Sequence, residues 1–304
     1  MSVFKEISLV IAHEFKHVLL SLRSVLFFIV YGGLSFLVGS SYTKIVSFID
    51  EKVGKQPGAV SSEDLANSGM SATKVFTDIF EKNPDLVSVF GGQHVADALT
   101  SGRLPVVIWV LLGLSGWFLP SLLLIVGYDR ISQDLNSKFS RFIFLRLRRG
   151  SYLCGKILAQ WLVAIILVGI AHLLLLLLVS NHPNISVKDI LASAPTIWLG
   201  MTLYLLAYIS FTAVFSASFT PPFTALALGL IAFMGFGVAS ILNAVSAIWM
   251  GDHALPILDA VSAIWMGDDA LQLWVGAPVP YVIYIAHIIL LGGIAFLRLR
   301  TREI

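Results

Sequence analysis

The chain has 304 residues, 57% of them hydrophobic and 12% charged, with a formal net charge of +2. That balance leaves too little polar surface to cover a soluble core of this size, so a large globular domain in water is excluded. The lone Cys154 excludes an intramolecular disulfide and a zinc site built on paired cysteines, and its place at the start of an apolar run predicts a buried small residue.

Five stretches carry no Asp, Glu, Lys or Arg: 24–43, 104–128, 157–187, 190–251 and 270–297. A helix crosses a hydrocarbon core of ~30 Å with ~20 apolar residues, so each is long enough to span. The run 190–251 must hold two crossings, divided at Ser218-Phe219-Thr220-Pro221-Pro222, because paired prolines cannot continue a helix. The expectation is an all-α polytopic integral membrane protein with six transmembrane helices.

An even number of spans puts both termini on one side. Segments 1–23, 129–156 and 298–304 together hold 13 Lys/Arg against 5 Asp/Glu, whereas the rest of the chain holds 7 against 13. The positive-inside tendency assigns the first group, and with it both termini, to the cytoplasm. Basic residues placed between two spans argue against nucleic-acid binding.

In chain order, residues 2–17 place Phe4, Ile7, Ile11 and Phe15 at helical spacing, with Lys5, His13, Lys16 and His17 elsewhere around the helix. This predicts a helix on the inner membrane surface, with the N-terminal element covering 1–21. Span one follows over 22–42 and is expected to stay as an anchor, since no convincing small-residue cleavage site precedes Tyr42. Residues 43–104 form an external loop domain, with helices over Ala72–Glu81 and His94–Thr100 interrupted by Asn83-Pro84 and Gly91-Gly92. Span two, 105–127, carries Pro120, where a kink is expected.

Residues 129–149 place Ile131, Leu135, Phe139, Phe142 and Ile143 at helical spacing, with Arg130, Asp134, Lys138 and Arg141 interleaved. An amphipathic cytoplasmic helix is predicted, followed by Arg146-Leu147-Arg148-Arg149-Gly150, with anionic lipid as one natural partner. Gly150-Ser151-Tyr152-Leu153-Cys154-Gly155-Lys156-Ile157 matches a phosphate-binding P-loop except at its last position, where Ile157 has no hydroxyl for magnesium. A basic helix precedes it and lipid follows, so nucleotide binding by this chain is rejected.

Span three, 157–179, contains His172, and span six contains His287. An imidazole in lipid must face protein or water, as a hydrogen-bonded structural group or as a proton or substrate contact on a pathway. The spans supply no carboxylate for a proton relay, and no metal-site spacing is read. Span five spaces Ala225, Gly229, Ala232, Gly235 and Ala239 for close helix approach. Beyond it, Ala244–Leu255 recurs as Ala260–Leu271 with only His253 changed to Asp269, a local duplication within an external segment, 244–275. Each copy can form a short apolar helix ending at Gly-Asp.

Tyr128-Asp129-x-Ile131, the polar and hydrophobic stretches after it, Arg148-Arg149 and Gly155-Lys156 together resemble the signature of type-two ABC exporter permeases. Glu14 to Arg23 resembles that family's N-terminal elbow helix, and Asn83-Pro84-Asp85-Leu86 through Phe90-Gly91 a segment common before its second span. The chain departs from the family pattern at Asn136-Ser137-Lys138-Phe139 and Leu147, where acidic residues, Gly-Thr and Pro are usual. The similarity covers roughly the first 180 residues.

The resemblance implies that 129–150 is a cytoplasmic coupling segment, its helix docked in a cleft of a separate ATPase subunit, with Asp134, Arg141, Arg146, Arg148 and Arg149 as polar contacts. It implies a second copy of the chain or a related permease as partner, and ATP and Mg on the ATPase, with no cofactor or catalytic site in this chain. It also implies short helices dipping back into the membrane between spans five and six. The duplicated segment is then either a cap on the outer end of a pathway, with Trp249, Asp252, Trp265 and Asp268 at this external gate, or a tolerated insertion without function. Deleting one copy is expected to impair export; unimpaired export would remove the gate.

The functional expectation is a permease subunit of an ABC exporter in a bacterial-type inner membrane, moving a substrate no residue identifies. One alternative is a non-transporting transducer that drives the 43–104 domain against an external partner. The other is an intramembrane enzyme, but the spans offer only His172, His287 and scattered serines, with no His-Glu-x-x-His, aspartate pair or Gly-x-Ser-x-Gly.

Overall fold

The computed structural model describes residues 2–53, 93–101, 104, 106–180, 187–250 and 278–302. Among them all regular structure is α-helical: α1 (Val3–Leu19), α2 (Leu22–Val53), α3 (Gln93–Thr100), α4 (Val106–Gly127), α5 (Ser132–Asn136), α6 (Phe139–Phe144), α7 (Arg149–Ser180), α8 (Val187–Ser218), α9 (Pro222–Met250) and α10 (Pro278–Thr301). Five of these, α2, α4, α7, α8 and α10, are long and apolar enough to cross a membrane. The 29 residues of α9 also have the length, and its described side chains form an apolar stretch over Pro222–Gly235. The protein is an all-α polytopic membrane protein.

The bundle is organised around α8, which packs against α10, α7, α4 and α9. Met201, Tyr204, Leu205, Ala207 and Ile209 on α8 are completely buried, whereas Ile29, Leu177, Phe223 and Ile289 on surrounding helices face outward. Outward apolar side chains on helices that satisfy their own backbone are what lipid requires. Pro120 lies inside α4, and its missing N–H frees the Gly116 carbonyl one turn earlier. The Tyr204 hydroxyl of α8 donates to that carbonyl at 2.8 Å, so the break is repaired from a neighbouring helix. Of the small residues on α9, Ala225 and Gly229 are buried, and a Cβ at Gly229 would meet Leu124 Cδ1 of α4 at 2.8 Å. Gly235 faces open space, and the Ala239 side chain lies outside the described residues.

Both ends of the chain meet the 128–150 segment at one end of the bundle. The Arg149 guanidinium donates to the carbonyls of Leu299 at 3.1 Å, Arg300 at 2.6 Å and Arg302 at 3.4 Å, which caps α10 with a cation. Arg302 in turn donates to Thr220 Oγ1 at 2.7 Å and to the Ser218 carbonyl in the α8–α9 turn. Glu6 of α1 reaches Arg148 at the same end.

Several expectations are corrected. The helix predicted over 129–149 is broken into α5 and α6 at Lys138, whose φ of 58° is left-handed. Asn136 and Ser137 are weak helix formers that favour such an ending. The break has a packing cause: a continuous helix would carry Phe144 ~20 Å from Ile131, whereas both ends of the segment here pack on one cluster with Tyr152, Ala217 and Leu299. Phe142, predicted on the apolar face, is 68% exposed. Cys154 is exposed, because α7 turns Tyr152, Leu153, Gly155 and Lys156 inward instead. The first half of the repeat, Ala244–Met250, continues α9 without forming a separate helix.

Candidate functional site

The candidate site is the charged end of the bundle, where α1, the α4–α7 connection and the C-terminus meet. The side of α1 that packs on α7 is the four-residue row Glu6, Val10, Glu14 and Val18, residues that share one helix face. Phe4, expected on the face of a helix lying on the membrane surface, is 82% exposed and takes no part in this contact. Two carboxylates therefore enter a contact surface that apolar periodicity alone assigns elsewhere.

Lys156 is the centre of the cluster, with only 7% of it exposed. Its ammonium reaches Glu14 Oε1 at 3.1 Å, Asp134 Oδ2 at 2.7 Å and the Arg130 carbonyl at 2.6 Å. An ammonium has three donors, and each finds an acceptor on a different element. Tyr152, one turn before Lys156, donates its hydroxyl to the same Asp134 oxygen at 2.6 Å. The network ties α1, the end of α4 and α5 to α7.

Flanking contacts extend the clamp. Arg23 at the start of α2 pairs with Asp129 and lies 4.7 Å over the Tyr128 ring, joining α2 to the end of α4. The Arg148 backbone N–H donates to Glu6 Oε2 at 3.3 Å, and its guanidinium Nε stands 3.9 Å from Oε1. The Ser151 hydroxyl beside Glu6, together with Arg148, holds that carboxyl below its ordinary value against the opposing effect of burial. Backbone amides of Ile131 and Ser132 donate to the buried Ser216 hydroxyl of α8 at 2.9 and 3.1 Å, which fixes the start of α5.

The five residues expected to contact an ATPase separate into two groups. Asp134 is engaged by Tyr152 and Lys156, and Arg149 by the C-terminal carbonyls, so both are spent inside the chain. Arg146 and Arg148 are exposed, and Phe142 and Leu145 stand beside them at 68% and 83% exposure. The backbone of Arg141 belongs to α6; its side chain lies outside the described residues. The segment thus has a locked inner side and an apolar-and-basic outer side.

His172 and His287 are not brought together. Tyr31 Oη of α2 lies 3.0 Å from His172 Nε2 of α7 and 2.8 Å from Ser115 Oγ of α4, and Ser115 donates to the Leu111 carbonyl at 2.6 Å. The terminal carbonyl can only accept, so the chain runs His172 Nε2–H to Tyr31 to Ser115 to Leu111. His287 Nδ1 lies 2.8 Å from the Ile283 carbonyl of its own helix and must be the donor. In both cases the partner is a hydrogen-bond acceptor within the bundle, the Tyr31 hydroxyl or the Ile283 carbonyl. Of the external gate, Trp249 lies on the α9 backbone with its side chain outside the described residues, and Asp252, Trp265 and Asp268 lie outside them altogether. So does most of the 43–104 domain.

Sequence reasoning missed Glu14, Lys156, Tyr152, Arg23 and Asp129 as a connected set. The readable signal was the regular Glu6-Val10-Glu14-Val18 spacing, which offered carboxylates to Arg148 just before α7 and to Lys156 two turns into it. It also overlooked that His13-Glu14-Phe15-Lys16-His17 has a metal-ligand spacing, on α1 and outside the spans. Among the described residues no group of three or more His, Cys, Asp or Glu gathers around a common point. No protein-family model matches this chain, and no curated protein matches it either.

Proposed function

We propose that this chain is the membrane-spanning permease subunit of an ABC exporter, pairing with a second copy and driven by a separate ATPase that carries the ATP and Mg. The observation that carries the reading is the two-sided 139–148 segment: Phe142, Leu145 and Arg146 point outward, while flanking residues on both sides are fixed to the bundle. Exposed apolar groups beside exposed guanidiniums suit a protein cleft that buries both.

In this reading the charged end faces the cytoplasm of a bacterial-type inner membrane. Closure of the ATPase pushes on 139–148, and the Lys156 clamp passes the displacement to α1, α4 and α7 together. The ATPase can shift the membrane part only by the difference in contact energy between the two states, so a soft connection would waste it. The Lys156 ammonium, with all three of its donors paired to acceptors on α1, α5 and the turn after α4, is the stiff part of that connection.

Affinity purification in mild detergent tests the proposal. An ATPase subunit is expected to accompany the wild-type chain, and Arg146→Glu combined with Arg148→Glu is expected to release it. Arg146→Glu alone serves as the cleaner variant, since Arg148 also touches Glu6. Absence of any ATPase from the wild-type preparation would instead indicate a self-standing membrane protein.

A further inference from the structure

We infer that His13 and His17 form a two-imidazole binding site for a divalent transition-metal ion on the exposed face of α1. Residues four apart on a helix stand one above the other on the same face. Here the two rings are 4.7 Å apart between centroids and tilted by 45°. The His13 side chain is 68% exposed and His17 is also exposed, so neither must be uncovered to bind.

The ring orientation favours coordination. His13 Nδ1 faces Glu14 Oε1 at 3.8 Å. That separation is beyond hydrogen-bond reach, so Glu14 does not tie up the ring and the imidazole is available to a metal ion. A metal–imidazole bond is about 2.0–2.1 Å, and rings one helical turn apart reach a common ion by rotation about their side-chain torsions alone. Imidazole nitrogen suits Cu, Ni and Zn, and the general affinity order places Cu(II) first.

The sequence His13-Glu14-Phe15-Lys16-His17 shares its spacing with the helix of zinc hydrolases, but the chemistry differs. A hydrolase needs the glutamate free to take a proton from metal-bound water. Glu14 is only 15% exposed and its carboxylate is held by Lys156 at 3.1 Å. No third His, Cys, Asp or Glu joins the pair among the described residues. The remaining coordination positions go to water, and the site binds without hydrolysing. Glu14 stands between His13 and Lys156, so an ion here is attached to the α1–α7 junction. The inference stands apart from the export reading.

The test uses the full-length protein in detergent, purified without a polyhistidine tag and titrated with Cu(II). One tightly bound Cu(II) per chain is expected, with an electron paramagnetic resonance spectrum showing two equivalent nitrogens. His13→Ala and His17→Ala should each remove one nitrogen and weaken binding on the order of 10–100-fold, because the second ligand binds as an intramolecular step. Cu(II) should raise the thermal unfolding midpoint of the wild type and leave that of the His17→Ala variant unchanged. Both side chains are exposed, so the variants are expected to fold; matching unfolding midpoints without metal establish this. No binding, or a spectrum and affinity unchanged by His17→Ala, would overturn the site and place any copper at other histidines.

Discussion

Replacing Lys156 by Met is expected to destabilise the folded protein by about 3–5 kcal/mol, the cost of leaving a buried charge without its partner. Here two carboxylates lose it at once. Glu14 and Asp134 are 15% and 21% exposed, and both face the ammonium at hydrogen-bond distance. Met fills a similar volume but donates nothing, so Asp134 keeps only the Tyr152 hydroxyl and the Arg130 carbonyl loses its donor. The loss should appear as a lower thermal unfolding midpoint in detergent.

A companion variant separates charge from packing. Lys156→Met combined with Glu14→Gln and Asp134→Asn removes all three charges, and is expected to recover much of the loss, as neutral replacements of buried ion pairs often do. Its connection would still be paired less well, so any ATPase-coupled activity should fall further than stability does. A Lys156→Met protein that unfolds at the wild-type midpoint would show that the clamp contributes nothing, and the rigid-coupling argument would go with it.

The features that sequence made legible were those written in local composition. The charge-free runs marked the spans because lipid tolerates few unpaired charges, and the Pro221-Pro222 pair marked the α8–α9 turn because two successive residues there lack the backbone N–H that a helix interior needs. What was not legible depended on distant partners. Glu14 and Lys156 are 142 positions apart in sequence, and each alone looks like a solvated charge near a membrane surface.

The continuous helix over 129–149 was misread for a subtler reason. Ile131 at the N-cap of α5 and Leu135 within it keep helical spacing, and Phe139, Phe142 and Ile143 keep it within α6, so periodicity is intact on both sides of the break. Nothing in that pattern registers a reversal at Lys138. The cluster of Ile131, Tyr152, Ala217 and Leu299 decides it, because only a bent segment lays both halves on the same apolar floor.

Gly155→Ala is expected to destabilise the α1–α7 crossing, by less than loss of Lys156, although it adds only a single methyl group. A Cβ at Gly155 would stand 2.5 Å from Val10 Cβ, 2.6 Å from Val10 Cγ1 and 3.3 Å from the Ile7 carbonyl oxygen. Val10 is 8% exposed and β-branched, with one strongly preferred rotamer in a helix, so its side chain cannot swing aside. The relief must come from moving α1 as a body, and overpacking of this kind costs about 1–3 kcal/mol. That motion also carries Glu14, one turn beyond Val10, away from Lys156, the residue next to Gly155. The methyl group and the ion pair are thereby coupled. In a double-mutant cycle of Gly155→Ala and Lys156→Met, the combined loss should be smaller than the sum, because the first change already spends part of the second. Adding Val10→Gly to Gly155→Ala should reopen the crossing and recover stability, less about 1 kcal/mol for a glycine inside a helix. Additive losses at 155 and 156, with no recovery from Val10→Gly, would mean that α1 does not cross α7 at this point and that the clamp is positioned by some other contact.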